Sequence, residues 1–254
     1  MRILLTNDDG IHAPGLAVLE EIARQFSDDI WICAPSEEQS GAGHSLTLTR
    51  PVRLNTYGER RFAVTGTPTD SVMMALRTVM PDAPDLILSG VNRGANLADD
   101  ITYSGTVSAA IEGALAGIRS VAFSQVYARE GMGDEVPFGA ALEWGPKVLA
   151  KLIDAPLADR TLINVNFPAL AADAVKGIRV VRQGFHDYAR GTLIEGCDPR
   201  GYRYFWFGLD QIEHTLDHGT DLEAIEDGYV AVTPLQLDLT HYSTIGILAE
   251  RFGD

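Results

Sequence analysis

The sequence predicts an α/β fold: a Rossmann-like, mostly parallel sheet flanked by helices, with a β-rich C-terminal arm or oligomerisation portion. Three observations carry that prediction. Short apolar runs recur at residues 3–5, 30–34, 85–89, 120–126 and 161–167, the length and composition of strands buried on both faces. Helical patterns stand between them, and β-α-β at such spacing implies parallel strands joined by right-handed crossovers. Beyond about residue 177 the alternation stops, and extended segments separated by Gly- and Asp-rich turns follow.

Taken in order, the opening strand halts at Thr6-Asn7-Asp8-Asp9-Gly10, a polar, acidic, turn-forming stretch. Residues 16–26 carry apolar side chains at 16, 19, 22, 23 and 26, a helical period, before the strand at 30–34. The loop from 35 to 45 is rich in Ser, Glu and Gly, and residues 46–53 and 61–65 read as extended. Gly66-Thr-Pro-Thr-Asp70 is a helix-start signal for a short helix over 71–79. The third buried strand, 85–89, gives way to the loop Gly90-Val-Asn-Arg-Gly-Ala-Asn96. A small-residue helix then follows Ser104-Gly105-Thr106 and runs to about 116. A strand at 120–126, a longer helix at 138–153 and a strand at 161–167 complete an α/β core over 1–177. The portion 178–254 carries strand patterns at 178–182, 202–207 and 229–233, and packs on the core as part of one overall unit.

Composition narrows the function. The chain has 254 residues, with 35 acidic against 20 basic side chains and a net charge of −15. That field disfavours binding to a nucleic-acid polymer or an anionic membrane. A small anionic substrate would need a local cation or an array of N–H donors. The two cysteines, Cys33 and Cys197, are too few for a disulfide framework, and no Cys/His cluster has zinc spacing. The start of the chain lacks a signal-peptide pattern, and no apolar run approaches the length of a membrane span, so a cytoplasmic location is expected.

Ligands in open α/β sheets bind at the carboxyl ends of the strands. Three polar loops follow the first three buried strands: Asn7 to Gly10, Ser36 to Ser45, and Ser89 to Asn96. In a parallel sheet all three emerge on one edge and can share a site. Asn-Asp-Asp-Gly alone is equally a solvated turn, but oxygen donors without His or Cys suit a hard cation such as Mg²⁺ or Mn²⁺. Ser104-Gly105-Thr106 at a helix start offers free N–H groups and two hydroxyls for an anion, or else a simple helix cap.

Six stretches stand in order along the chain: Asn7-Asp-Asp-Gly-Ile-His-Ala-Pro-Gly15, Ser40-Gly-Ala-Gly-His-Ser-Leu-Thr-Leu48, Gly66-Thr-Pro-Thr-Asp70, Ser89 to Asn96 with Tyr103-Ser-Gly-Thr-Val107, Asp198-Pro-Arg-Gly201, and Thr220-Asp221 through Gly228 to Leu235. Together they resemble the motifs of the SurE family of stationary-phase survival proteins. The resemblance implies a phosphatase of nucleoside 5′- and 3′-monophosphates, with removal of terminal phosphate from polyphosphate in some members. It also implies one Mg²⁺ or Mn²⁺ per subunit, held by Asp8, Asp9, Ser40 and Asn92, with Asn96, Ser104, Gly105 and Thr106 completing the active site. A homodimer or homotetramer built through the C-terminal portion is implied as well. Where some members carry a basic residue and an Asn in the second loop, this chain has Glu38-Gln39 and His44. His44 is a candidate for phosphate contact or proton transfer, or a structural loop residue. An aspartyl-phosphate route through Asp8 or Asp9 is disfavoured, because the acid usually found two residues beyond such a nucleophile is missing. The competing class is a nucleotide- or phosphate-sensing protein without turnover. Bare paired carboxylates argue against it, since they repel a phosphate unless a metal intervenes.

Overall fold

The computed structural model describes residues 1–127, 137–186, 192–208 and 219–253. Its centre is a nine-stranded sheet built from β1 (Ile3–Thr6), β2 (Ile30–Pro35), β3 (Leu54–Gly58), β4 (Arg61–Val64), β5 (Leu86–Arg93), β6 (Arg119–Gln125), β7 (Thr161–Phe167), β8 (Ile178–Val180) and β11 (Val230–Gln236). The spatial order is β3-β4-β2-β1-β5-β6-β7-β11-β8. Strands β4, β2, β1, β5, β6 and β7 are parallel, while β3 pairs antiparallel with β4 and β11 antiparallel with β7. A separate antiparallel hairpin, β9 (Thr192–Cys197) with β10 (Arg203–Gly208), lies outside this sheet.

Two helical layers cover the sheet, as its doubly apolar strands require. On one face α1 (Pro14–Arg24) and α4 (Gly139–Leu152) bury Leu16, Leu19, Ile22, Ala140, Ala141, Val148 and Leu149 against Ile3, Leu5, Leu88 and Val121. On the other, α2 (Pro68–Met74) and α3 (Gly105–Leu115) pack Val72 and Ala109 over Leu4, Cys33 and Ile87. The layer is close: a Cβ on Gly15, in the first turn of α1, would stand 1.9 Å from the Val91 carbonyl oxygen, so only glycine fits there.

Several boundaries differ from the sequence reading. The second helix begins at Pro68 rather than Ser71, because Thr67 and Asp70 form a reciprocal capping box, and a π-helical turn carries it on from Ala75 to Val79. Residues 46–53 form no strand; the extended pairing starts at Leu54, where β3 finds β4. β5 runs four residues past Ser89, with its register against β6 shifting between Ser89 and Asn92. In the C-terminal portion, β8 and β11 extend the main sheet, and the hairpin supplies the arm. That portion also holds α5 (Asp221–Glu226) and α6 (Tyr242–Phe252), which the strand patterns did not anticipate; no residue of α6 is buried. No helix among the described residues is long and apolar enough to cross a membrane.

Candidate active site

β1 has β2 on one side and β5 on the other; the chain passes from β1 to β2 and from β5 to β6, so the direction of winding reverses between β1 and β5, and the carboxyl ends of strands at such a reversal are the usual ligand position. The polar loops meet there. Asn7, fully buried, fixes the turn by donating from Nδ2 to the Gly10 carbonyl at 2.9 Å and accepting the Gly10 N–H at 3.2 Å. The chain thereby leaves the strand just where Asp8 and Asp9 stand.

Asp8 is buried, and its carboxylate sits at the start of α3. Thr106 donates its hydroxyl to Asp8 Oδ1 at 2.5 Å, and its backbone N–H also bonds the carboxylate. Burial nonetheless pushes the Asp8 carboxyl up to about 6; the charge of Asp9 adds to the rise and the Thr106 bonds oppose it. A Cβ on Gly105 would meet Asp8 Cβ at 2.7 Å and Oδ2 at 3.0 Å, so the helix start is pressed onto the acid. Asp9 accepts the Arg93 N–H at Oδ2 at 3.1 Å. Burial raises its pKa, with the nearby charge of Glu38 acting in the same direction and Arg93 against it.

The other two loops are stitched to the acids through the backbone. Gln39 N–H donates to the Asp8 carbonyl at 2.8 Å, which sets Ser40 next to a group bonded to Asp8. Arg93 N–H on Asp9 does the same for Asn92. Ser40 Oγ donates to Glu38 at 2.7 Å, and Asn92 commits its Nδ2 to the Gly94 carbonyl at 3.1 Å, turning its amide nitrogen away along its own loop. Gly43 N–H reaches the Tyr103 carbonyl at 3.1 Å and ties the second loop to the residue before Ser104.

The donors fit a hard divalent cation. Two desolvated carboxylates with raised pKa stand side by side with hydroxyl and amide oxygens one residue from their bonded neighbours. Among the described residues there is no group of three or more His, Cys, Asp or Glu side chains that could hold a metal; hydroxyl and amide oxygens such as those of Ser40 and Asn92 are of the chemical type that a hard cation accepts beside carboxylates.

The predicted anion holders are at two places. Ser104 caps α3 by accepting the Val107 N–H at 3.0 Å, so its hydroxyl oxygen is engaged in the helix, while Thr106 is engaged with Asp8. The helix N-terminus therefore faces a carboxylate, the kind of group its N–H array stabilises. Asn96 lies further along the edge, over β6 and β7, where it is buried among polar side chains: its Nδ2 donates to Ser124 Oγ at 2.8 Å and its backbone bonds Asn164 and Asn166. His44 pairs Nε2 with Glu112 Oε2 of α3 at 3.1 Å, a link between the second loop and the helix.

The sequence reading gave no role to two features, although it quoted Asp221 within a family motif. Asn164 and Asn166 were counted only as part of a strand, although polar residues at alternate positions of a buried run are the available signal. Asp221 is fully buried and accepts Ala98 N–H at 2.9 Å on one oxygen and Gly184 N–H at 2.8 Å on the other, anchoring the turn after Asn96 to the C-terminal portion.

A family model described as Survival protein SurE matches residues 3–190. A protein named 5′-nucleotidase SurE from Erythrobacter litoralis is 70% identical over 253 residues, 99% of this chain and all of that one. A protein of the same name from Rhizorhabdus wittichii is 64% identical over 246 residues, 96% of this chain and 97% of its own. Among solved structures, the SurE protein from Aquifex aeolicus superposes with a TM-score of 0.84 at 37% identity, covering all of both chains.

Proposed function

The chain belongs to the SurE family, and on that footing we propose that it hydrolyses nucleoside 5′- and 3′-monophosphates to nucleoside and phosphate, with Mg²⁺ or Mn²⁺ as its cofactor. The observation that carries the proposal is the adjacent carboxylates of Asp8, buried, and Asp9, half-buried, at the carboxyl end of β1, with the N-terminus of α3 pressed against Asp8. Two adjacent carboxylates, each partly or wholly desolvated and beside another acid, attract a divalent cation and repel a bare phosphate.

Asp8, Asp9, Ser40 and Asn92 would hold one ion per subunit. When bound, it supplies positive charge that offsets the two acids and stabilises charge gathering on the phosphoryl oxygens. The remaining work is positioning, which dominates phosphoryl transfer. Asn96, Ser104 and the N–H of Gly105 would hold the phosphate, while Thr106, whose hydroxyl and N–H both bond Asp8, contributes by fixing that acid. Arg93 keeps Asp9 in place through its backbone. Water then attacks phosphorus and the nucleoside hydroxyl leaves. Terminal phosphate of polyphosphate is a second substrate class on the same edge. The exposed hairpin and α6 support assembly as a homodimer or homotetramer.

Release of inorganic phosphate from a panel of nucleoside 5′- and 3′-monophosphates, with Mg²⁺, Mn²⁺ or a chelator, tests the proposal. Turnover that needs metal and vanishes in Asp9→Ala, with thermal unfolding still cooperative, is the expected result. Tight nucleotide binding without phosphate release under any metal would establish the sensing alternative instead, and full metal-dependent turnover by Asp9→Ala would remove Asp9 from the ligand set.

A further inference from the structure

We propose that Asn166, seconded by Asn164, is a positioning residue for catalysis: the two carboxamides on β7 hold the main chain of Asn96 so that its side chain is presented to the substrate phosphate. The inference rests on the reading of Asn96 as a phosphate contact.

The geometry is specific. The Asn166 carboxamide meets both backbone groups of Asn96, accepting its N–H at Oδ1 at 2.9 Å and donating from Nδ2 to its carbonyl at 3.0 Å. Asn164 donates from Nδ2 to that same carbonyl at 2.8 Å. Both side chains are fully buried. Burying two amides on one strand is costly unless they are hydrogen-bonded, and an apolar residue at either position would serve the strand at no such cost. Among the described residues, every hydrogen bond of the two side chains ends on one residue, Asn96, and the Asn164 Oδ1 atom is buried without a partner. A pair kept only to stabilise β7 would satisfy its own polar atoms first.

The register shows why the hold comes from β7. Asn92 on β5, Ser124 on β6 and Asn166 on β7 form one row across the sheet. The middle member, Ser124, accepts from Asn96 Nδ2. Asn96 follows β5 on an irregular segment after Gly94, whose φ is +126°, and its own strand does not hold it. With main chain fixed by β7 and carboxamide plane fixed by Ser124, one N–H of Asn96 is directed by construction, and that N–H is the one left to meet an anion. Preorganised donors of this kind raise rate because no reorganisation is required when charge develops.

The test is a double-mutant cycle read in kcat/KM for a nucleoside monophosphate, with thermal unfolding followed for each protein. Asn96→Ala and Asn166→Ala are each expected to lower kcat/KM by roughly 10²-fold, the scale of an ångström-sized misplacement. In the Asn96→Ala background, Asn166→Ala should have no further effect on kcat/KM, since there is no side chain left to position. Asn164→Ala should give a smaller loss that also disappears in that background, and this pair carries the comparison if Asn166→Ala does not fold. An Asn166→Ala loss that persists undiminished without the Asn96 side chain would overturn the inference, because a general structural role behaves that way. Wild-type kinetics in Asn166→Ala would overturn it as well. Wild-type kinetics in Asn96→Ala would instead show that Asn96 does not touch the phosphate, and the underlying reading would fall first.

Discussion

The carboxyl edge of β1 and β5 and the C-terminal hairpin are opposites in what they hide. At the edge, polar groups are buried: Asp8 is 5% exposed and Asn96 6%. On the hairpin, aromatic groups are bare: Trp206 is 68% exposed and Phe207 85%. Each is unfavourable by itself, since a desolvated carboxylate lacks its hydration and an exposed apolar cluster retains its contact with water. The edge suits a small charged ligand. The hairpin, with Leu193, Ile194, Tyr204 and Phe205 also exposed, suits another apolar surface. The contrast supports the proposed division, chemistry in one region and assembly in the other, and three perturbations can break or sharpen it.

The largest effect is expected at Gly105. A methyl group there must displace Asp8, whose Cβ lies 2.7 Å from the position it would take, or shift the start of α3 against Pro68 at 3.1 Å. Gly105→Ala should lower kcat/KM by roughly 10²-fold while leaving the oligomeric state alone. A variant with normal turnover would mean that the helix start and Asp8 are not a fixed pair.

That pairing was in part legible in the sequence. Asp8 and Asp9 stood out because an acidic doublet ended an apolar run, and Ser104-Gly105-Thr106 because it opened a helix; both are local signals. The contact between Thr106 and Asp8 spans 98 residues and depends on β5 being inserted between β1 and β6, which no short window reveals. Asn164 and Asn166 did signal themselves as polar positions in a buried run, but the role of Asn166 was illegible for the same reason, since it lies in a register two strands away from β5. Helix α6 went unread because no element was assigned beyond residue 233, although Tyr242, Ile245, Leu248 and Phe252 recur at helical spacing; in the structure all four are exposed.

An intermediate effect is expected on stability. The folded-state pKa of Asp8 lies at about 6 against the ordinary 3.8, so the metal-free fold binds this proton more tightly than the unfolded chain does. The associated stability is fully present below about pH 4 and is lost as pH rises through 6. A divalent cation competes with that proton and replaces its effect once the acid is ionised. Adding Mn²⁺ should therefore raise the melting temperature more at pH 7.5 than at pH 5, by an amount corresponding to a few kcal/mol at saturation. Equal shifts at the two pH values would detach the metal from Asp8.

The smallest effect on catalysis is expected from the hairpin. Trp206→Ser removes the largest exposed aromatic ring of β10, whose strand pairs with β9 through the backbone from Arg203 to Gly208. Those ladder bonds do not use the ring, so the hairpin itself can persist. If the aromatic face is an assembly surface, the substitution should move the protein towards smaller species in sedimentation at micromolar concentration. The kcat per subunit should change by no more than about twofold, because Trp206 is exposed and substitutions at exposed positions are usually worth less than about 0.5 kcal/mol. A loss of kcat that tracks dissociation would break the division between the two regions, since the catalytic edge would then need the neighbouring subunit to be complete. Unchanged assembly with unchanged rate would leave the edge intact and remove the ring from the interface, shifting the assembly role to the exposed apolar stripe of α6.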